Sequence, residues 1–122
     1  MPFFRRFISR PGRLGVAEAH RRFRDGTAVL LDVREADEWQ AGHIPGARHL
    51  PLSRLTSGAK VPGVYADSRL VLICRSGQRS QRAARLLREQ GWDAVDVTGG
   101  MKAWAGQGLP VQSAAGAAGT VI

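Results

Sequence analysis

The stretch LVLICRSGQRS (residues 70–80) carries four apolar residues into the single cysteine of a 122-residue chain. A short polar loop with one glycine and two arginines follows Cys74, and residues 81–90 then have the pattern of a helix. Short continuous apolar runs are typical of strands that are buried on both faces of a parallel sheet. A strand, a thiol, a cationic loop and a helix N-terminus in direct succession predict an anion-binding loop with a nucleophile at its base.

The rest of the chain repeats this alternation of strands and helices. Further strands are predicted at residues 28–33, 47–50 and 93–97, and further helices at 16–25, 35–41 and 100–105. Such alternation predicts an α/β domain with a mainly parallel central sheet and helices on both faces. Ligands of these sheets bind beyond the carboxyl ends of the strands, and Cys74 lies at such an end.

The ends of the chain differ from its middle in composition. We expect a basic arm at residues 1–13, one domain at 14–111, and an Ala/Gly-rich, disordered tail at 112–122. The arm is rich in arginine and phenylalanine, which fits either a disordered segment docked on the domain or a helix on a membrane surface. No apolar run approaches the roughly 20 residues of a membrane helix, so no membrane span is expected.

Charge and cysteine content narrow the classes of partner. The net charge is +8, from 18 basic and 10 acidic residues. This charge fits a small anionic substrate, an acidic partner protein or an ordinary solvated surface. Nucleic acid is not expected, because the arginines are dispersed and not interleaved with aromatic residues. A single cysteine excludes an internal disulfide and a Cys-rich zinc site, and it fits a reducing, cytoplasmic compartment.

The loop after Cys74 is suited to nucleophilic chemistry. Gly77 permits the backbone to curl, so that N–H groups of the loop and of the first helical turn converge on one point. The helix dipole and two arginines add positive potential there. A thiolate in this position can attack an electrophile and hold an anionic covalent adduct.

Loop length separates two such chemistries. Cysteine-dependent phosphatases place five residues between the cysteine and an arginine, whereas here Arg79 follows Cys74 after four. The residue before the cysteine is Ile73, not the histidine found in many of those phosphatases. A tighter ring favours a smaller adduct, such as one sulfur atom, over a phosphoryl group.

Three motifs in this order resemble the rhodanese-like domain family in its single-domain form. Residues 74–79 match its six-residue active-site loop, residues 31–47 its N-terminal signature, and residues 99–110, with Gly99-Gly100 and Trp104, its C-terminal signature. The resemblance as a whole runs over residues 14–111, which is most of the chain.

This resemblance implies a thiosulfate sulfurtransferase that needs no metal or organic cofactor. The Cys74 thiolate would take sulfur from thiosulfate, and the persulfide would pass it to cyanide, a cellular thiol or a protein acceptor. The alternative is a binding or regulatory module of the same fold with little thiosulfate activity. A small phosphatase or arsenate reductase is disfavoured by the loop length.

Roles are expected for each residue of the loop. Arg75 faces the substrate, Ser76, Gly77 and Gln78 line the loop, and Ser80 either donates its hydroxyl or caps the helix. Arg79 is a structural brace that pairs with Glu38 or Asp32.

Other polar and aromatic residues are expected to be structural. Asp32 lies in a buried strand, needs a partner and supports the loops at the strand ends. His43 makes a structural hydrogen bond and is not an acid or base, and Trp39 and Trp104 belong to the core.

Overall fold

The computed structural model describes residues 12–122, which form a five-stranded parallel sheet in the order β1-β5-β4-β2-β3. The strands are β1 (Arg13–Leu14), β2 (Ala28–Asp32), β3 (Arg48–His49), β4 (Arg69–Ile73) and β5 (Ala94–Val97). The helices are α1 (Val16–Arg24), α2 (Ala36–Ala41), α3 (Leu52–Thr56), α4 (Gln78–Glu89) and α5 (Gly100–Gly106), with a 3-10 turn at Gly63–Tyr65. The predicted α/β class is confirmed.

The apolar run of β4 explains why helices cover both faces of the sheet. Successive side chains of a strand point to opposite faces. Leu70 and Leu72 pack with residues of α3 and α4, whereas Val71 and Ile73 pack with residues of α1 and α5. All four are buried, and each face therefore needs its own helical layer.

Apart from one-residue differences at the ends of elements, two predicted boundaries differ from the structure. Arg13, assigned to the arm, belongs to β1, where it pairs in register with Asp96. Helix α4 begins at Gln78 and not at Gln81, because Gly77 takes the N-cap position. The remainder of the predicted arm lies outside the described residues. Within residues 12–122, no helix has the length and apolar character to cross a membrane.

The tail at 112–122, here called the C-terminal strap, packs on the domain, in contrast to the predicted disorder. Gln112 bridges to His43 and to Ala118 in antiparallel fashion, and the Thr120 amide donates to the Ala41 carbonyl at 2.9 Å. The small residues permit this packing: a Cβ added to Gly42 would lie 2.5 Å from the Thr120 oxygen. The composition that suggested disorder therefore allows close backbone contact.

Candidate active site

Cys74 lies directly after β4, and its side chain is almost fully buried. The backbone N–H of Gly77 donates to Sγ at 3.1 Å, and that of Ser80 donates at 3.3 Å. Gly77 has φ +108°, a left-handed value that favours glycine, and it caps α4. The loop thus curls around the sulfur and presents amide donors to it.

Helix α5 holds the loop from the other side. The N–H of Met101 donates to the Cys74 carbonyl at 2.8 Å, and that of Lys102 donates to the Arg75 carbonyl at 3.0 Å. Gly100 makes this contact possible, since an added Cβ would lie 2.3 Å from the Cys74 oxygen. With its carbonyls bound by α5, the loop keeps its amides available for the sulfur.

A buried polar chain extends from the sulfur to the edge of the sheet. The Ser80 Oγ lies 3.4 Å from Sγ and donates to Asp96 Oδ2 at 2.9 Å. Arg13 donates to both carboxylate oxygens of Asp96, from Nε at 3.0 Å and from Nη2 at 3.1 Å. Its Nη2 also donates to the Gly77 carbonyl, so β1 and β5 both support the loop.

Arg79 is bound to Glu38 in a bidentate pair, with N–O distances of 2.7 and 2.8 Å. The hydrogen bond from Arg79 holds the pKa of Glu38 below its ordinary value, against the opposing effect of burial. The same pairing raises the pKa of Arg79. Arg79 therefore bridges the loop to α2, as expected for a brace.

Asp32 binds Arg34 and not Arg79. Arg34 Nε and Nη2 donate to the Asp32 carboxylate at 3.0 and 2.8 Å, and both side chains are fully buried. Arg34 Nη2 also donates to the Gly42 carbonyl at 2.7 Å. The pair ties the end of β2 to the segment after α2, next to the active-site loop.

Comparison with known proteins identifies this arrangement. The family model of the rhodanese-like domain matches residues 15–107, which include the whole loop. The chain belongs to the rhodanese-like domain family.

Three relatives show how this rhodanese-like domain compares with others. YtwF of Bacillus subtilis, provisionally named a sulfurtransferase, is 41% identical over 86 residues, which cover 70% of this chain and 82% of YtwF. YrkF of the same organism, provisionally named a sulfur carrier protein, is 38% identical over 84 residues. This match covers 68% of the chain but only 44% of YrkF. The structure of the human single-domain sulfurtransferase TSTD1 matches with a TM-score of 0.71 and 28% identity, over 80% of this chain and 98% of that one.

The remaining predicted residues of the loop in this rhodanese-like domain are partly exposed and partly buried. The side chains of Arg75, Ser76 and Gln78 are exposed. Arg75 Nε donates to the Ile122 carbonyl at 3.0 Å, so the C-terminal strap ends beside the loop. Ser80 is the third residue of α4, and its predicted role as helix cap is therefore wrong, whereas its hydroxyl does lie beside the sulfur.

The predictions for histidine and tryptophan have mixed outcomes. His43 Nδ1 lies 2.7 Å from the Trp39 carbonyl, which confirms a structural hydrogen bond. Trp104 is buried as predicted. Trp39 is only partly buried and stacks on His43 and His49, with ring centroids 3.7 and 4.7 Å apart. His49 Nε2 also lies 2.8 Å from the Arg34 carbonyl, so the stacked rings connect β3 to the residues around α2.

Four residues around the site were given no role in it from the sequence: Arg13, Arg34, Asp96 and Gly100. Asp96 carried a usable signal, because a carboxylate within the apolar run Ala94–Val97 requires a buried partner, as Asp32 does. Nothing in the local sequence indicates that Arg13 would be that partner, since 83 positions separate the two residues.

Proposed function

We propose that this rhodanese-like domain is a single-domain sulfurtransferase that carries sulfane sulfur as a persulfide on Cys74. The family and the names of its relatives support sulfur transfer in general. The observation that carries the specific proposal is the pair of amide donors, Gly77 and Ser80, aimed at the Cys74 sulfur. Such donors stabilise a thiolate and the terminal sulfur anion of a persulfide.

The proposed reaction has two displacement steps. The Cys74 thiolate attacks the outer sulfur of thiosulfate, an S–S bond forms, and the original S–S bond breaks as sulfite leaves with its electron pair. An acceptor thiolate or cyanide then attacks the outer sulfur of the persulfide, and Cys74 leaves as a thiolate. The loop amides stabilise the sulfur charge in both steps, and no metal or organic cofactor takes part.

Charge around the loop suits an anionic donor. Arg79 is already neutralised by Glu38, whereas Arg75 is exposed at the mouth of the loop. We assign capture of the donor to Arg75, with Ser76 and Gln78 as polar lining and the net charge of +8 assisting encounter. Asp32 and Glu38 act as structural supports. A cytoplasmic location is proposed, because a lone working thiol requires a reducing compartment.

Persulfide formation is tested by intact mass spectrometry. The purified chain is incubated with thiosulfate, desalted and weighed before and after dithiothreitol. We expect a gain equal to one sulfur atom that dithiothreitol removes, and no gain in Cys74→Ser. Cys74 is the only cysteine, so a reducible adduct identifies the site without peptide mapping. An unmodified mass, together with turnover of an aryl phosphate, would show that the site is a phosphatase.

A second candidate function is a module that receives sulfur from a protein donor. The relative YrkF, which is provisionally named a sulfur carrier protein, favours it. The two candidates differ in their response to donors. Loading by a persulfidated protein but not by thiosulfate would support the module, whereas loading by thiosulfate alone supports the enzyme.

A further inference from the structure

The hydroxyl of Ser80 lies between two groups that compete for its single proton. Asp96 Oδ2 lies 2.9 Å from Oγ, and the Cys74 sulfur lies 3.4 Å from it on another side. An ionised carboxylate only accepts hydrogen bonds, so Ser80 must donate to Asp96 in this arrangement. Towards Cys74 the same oxygen then offers only lone pairs, which accept the thiol proton.

Asp96 is held in this position by Arg13. The carboxylate is fully buried, and the Arg13 guanidinium, whose side chain is 16% exposed, covers both of its oxygens. A buried carboxylate without such a partner would be costly, and it would bind the Ser80 proton more strongly. Arg13 thus weakens the hold of Asp96 on Ser80.

We propose that Asp96 and Arg13 are positioning residues that set the ionisation of Cys74 through the hydroxyl proton of Ser80. The proposal rests on the proposed function in one respect, namely that a thiolate is the attacking species. In the thiol form, Cys74 donates to Ser80 and Ser80 donates to Asp96. When the thiol proton leaves to solvent, the Ser80 hydroxyl rotates and donates to the sulfur anion, and Asp96 keeps only Arg13. No covalent bond other than S–H changes.

Among residues 12–122, the other charged groups near Cys74 lack such a link through a shared hydroxyl proton. On α4, the charge of Arg79 is already paired with Glu38. At the end of β2, Asp32 and Arg34 form a buried pair that neutralises itself. Lys102 on α5 and Arg75 in the loop are exposed to solvent, which screens their charge.

The proposal predicts the direction of change for three variants. Ser80→Ala removes a donor from the thiolate and moves the ionisation midpoint of Cys74 to higher pH. Asp96→Asn removes a negative charge and frees the Ser80 proton, so the midpoint moves to lower pH and alkylation at a fixed pH below it is faster by about tenfold. Arg13→Gln leaves Asp96 unpaired and moves the midpoint to higher pH.

The test is the rate of alkylation of Cys74 by iodoacetamide as a function of pH, in the full chain without any sulfur donor. The decisive comparison is Asp96→Asn alone against Asp96→Asn in the Ser80→Ala background. We expect the shift caused by Asp96→Asn to fall to less than half when Ser80 is absent. A direct charge effect would give the same shift in both backgrounds and would overturn the proposal.

Two controls keep the test independent of folding and of the proposed function. If Asp96→Asn fails to fold, the same comparison is made with Arg13→Gln, a substitution at the partly exposed edge of the sheet. An unchanged Arg13→Gln midpoint, or an equal shift with and without Ser80, then refutes the proposal. Alkylation requires no sulfur transfer. A chain that shows the Ser80-dependent shift but no persulfide would overturn the proposed function alone.

Discussion

Replacing Gly100 by alanine tests the contact between α5 and the active-site loop. Gly100 has φ +56°, and a Cβ at this position would lie 2.3 Å from the Cys74 oxygen and 2.8 Å from the Arg75 oxygen. A left-handed backbone costs an L-residue about 1–2 kcal/mol. The substitution therefore combines backbone strain with a collision against the loop.

The collision also weakens two hydrogen bonds between α5 and the loop. The N–H groups of Met101 and Lys102 bind the Cys74 and Arg75 carbonyls, and a loop displaced by the new methyl group loses this alignment. Each such bond contributes about 0.5–1.5 kcal/mol. We therefore expect Gly100→Ala to lower the free energy of unfolding by about 2–5 kcal/mol, a large part of the 5–15 kcal/mol typical of a domain.

Urea denaturation followed by tryptophan fluorescence measures this loss. Gly106→Ala in the same helix is the matched control, because no atom of the described part of the chain lies within 4 Å of its added Cβ and its φ is not positive. The control is expected to change the free energy of unfolding by less than about 1 kcal/mol. A Gly100→Ala protein as stable as the control would refute the packing argument.

Three further perturbations follow from the site. Arg34→Leu leaves the buried Asp32 carboxylate without its partner and is expected to lower the free energy of unfolding, measured by urea denaturation, by about 3–5 kcal/mol. Because the pKa of Glu38 is lowered in the folded protein, ionised Glu38 stabilises the fold above its ordinary pKa of 4.5. This contribution is lost as the pH falls through the lower pKa of the folded state. Glu38→Gln should remove this acid-dependent part, about 1 kcal/mol since Arg79 is 35% exposed. Arg75→Ala should raise KM for thiosulfate more than it lowers kcat.

A specific outcome would contradict each of these three predictions. The Asp32→Asn, Arg34→Leu double variant removes the unpaired charge and should recover part of the lost free energy of unfolding. If nothing is recovered, the unpaired Asp32 carboxylate is not the cause of the loss. If the free energy of unfolding depends on pH in the same way in the native and Glu38→Gln proteins, the pair between Arg79 and Glu38 does not contribute to stability. An unchanged KM in Arg75→Ala would exclude electrostatic capture by that residue.

Features encoded by neighbouring residues could be predicted from the sequence. The apolar run of β4, the loop and α4 follow each other directly, so their order already fixes a thiol at the carboxyl edge of a parallel sheet. The sequence left two acids, Asp32 and Glu38, as alternative partners of Arg79. The structure distinguishes them, since Asp32 is already bound by Arg34.

Features that depend on distant chain segments could not be predicted. Arg13 meets Asp96 only because β1 lies beside β5, and two residues of strand give no usable pattern. The need for glycine at position 100 depends on where α5 meets the loop. The order of the C-terminal strap comes from the fit of Gly119 against Gly42, whereas composition alone predicts disorder.

The hydrogen bond between Arg75 and the Ile122 carbonyl has a practical consequence for labelling this protein. A dye, affinity tag or surface tether attached directly after Ile122 would sit beside the mouth of the loop, where it would obstruct a donor. The same proximity makes this position useful for an environment-sensitive fluorophore, because an anion bound by Arg75 would lie next to it. Kinetic work therefore calls for a protein without a label next to Ile122, and binding work can exploit a label there.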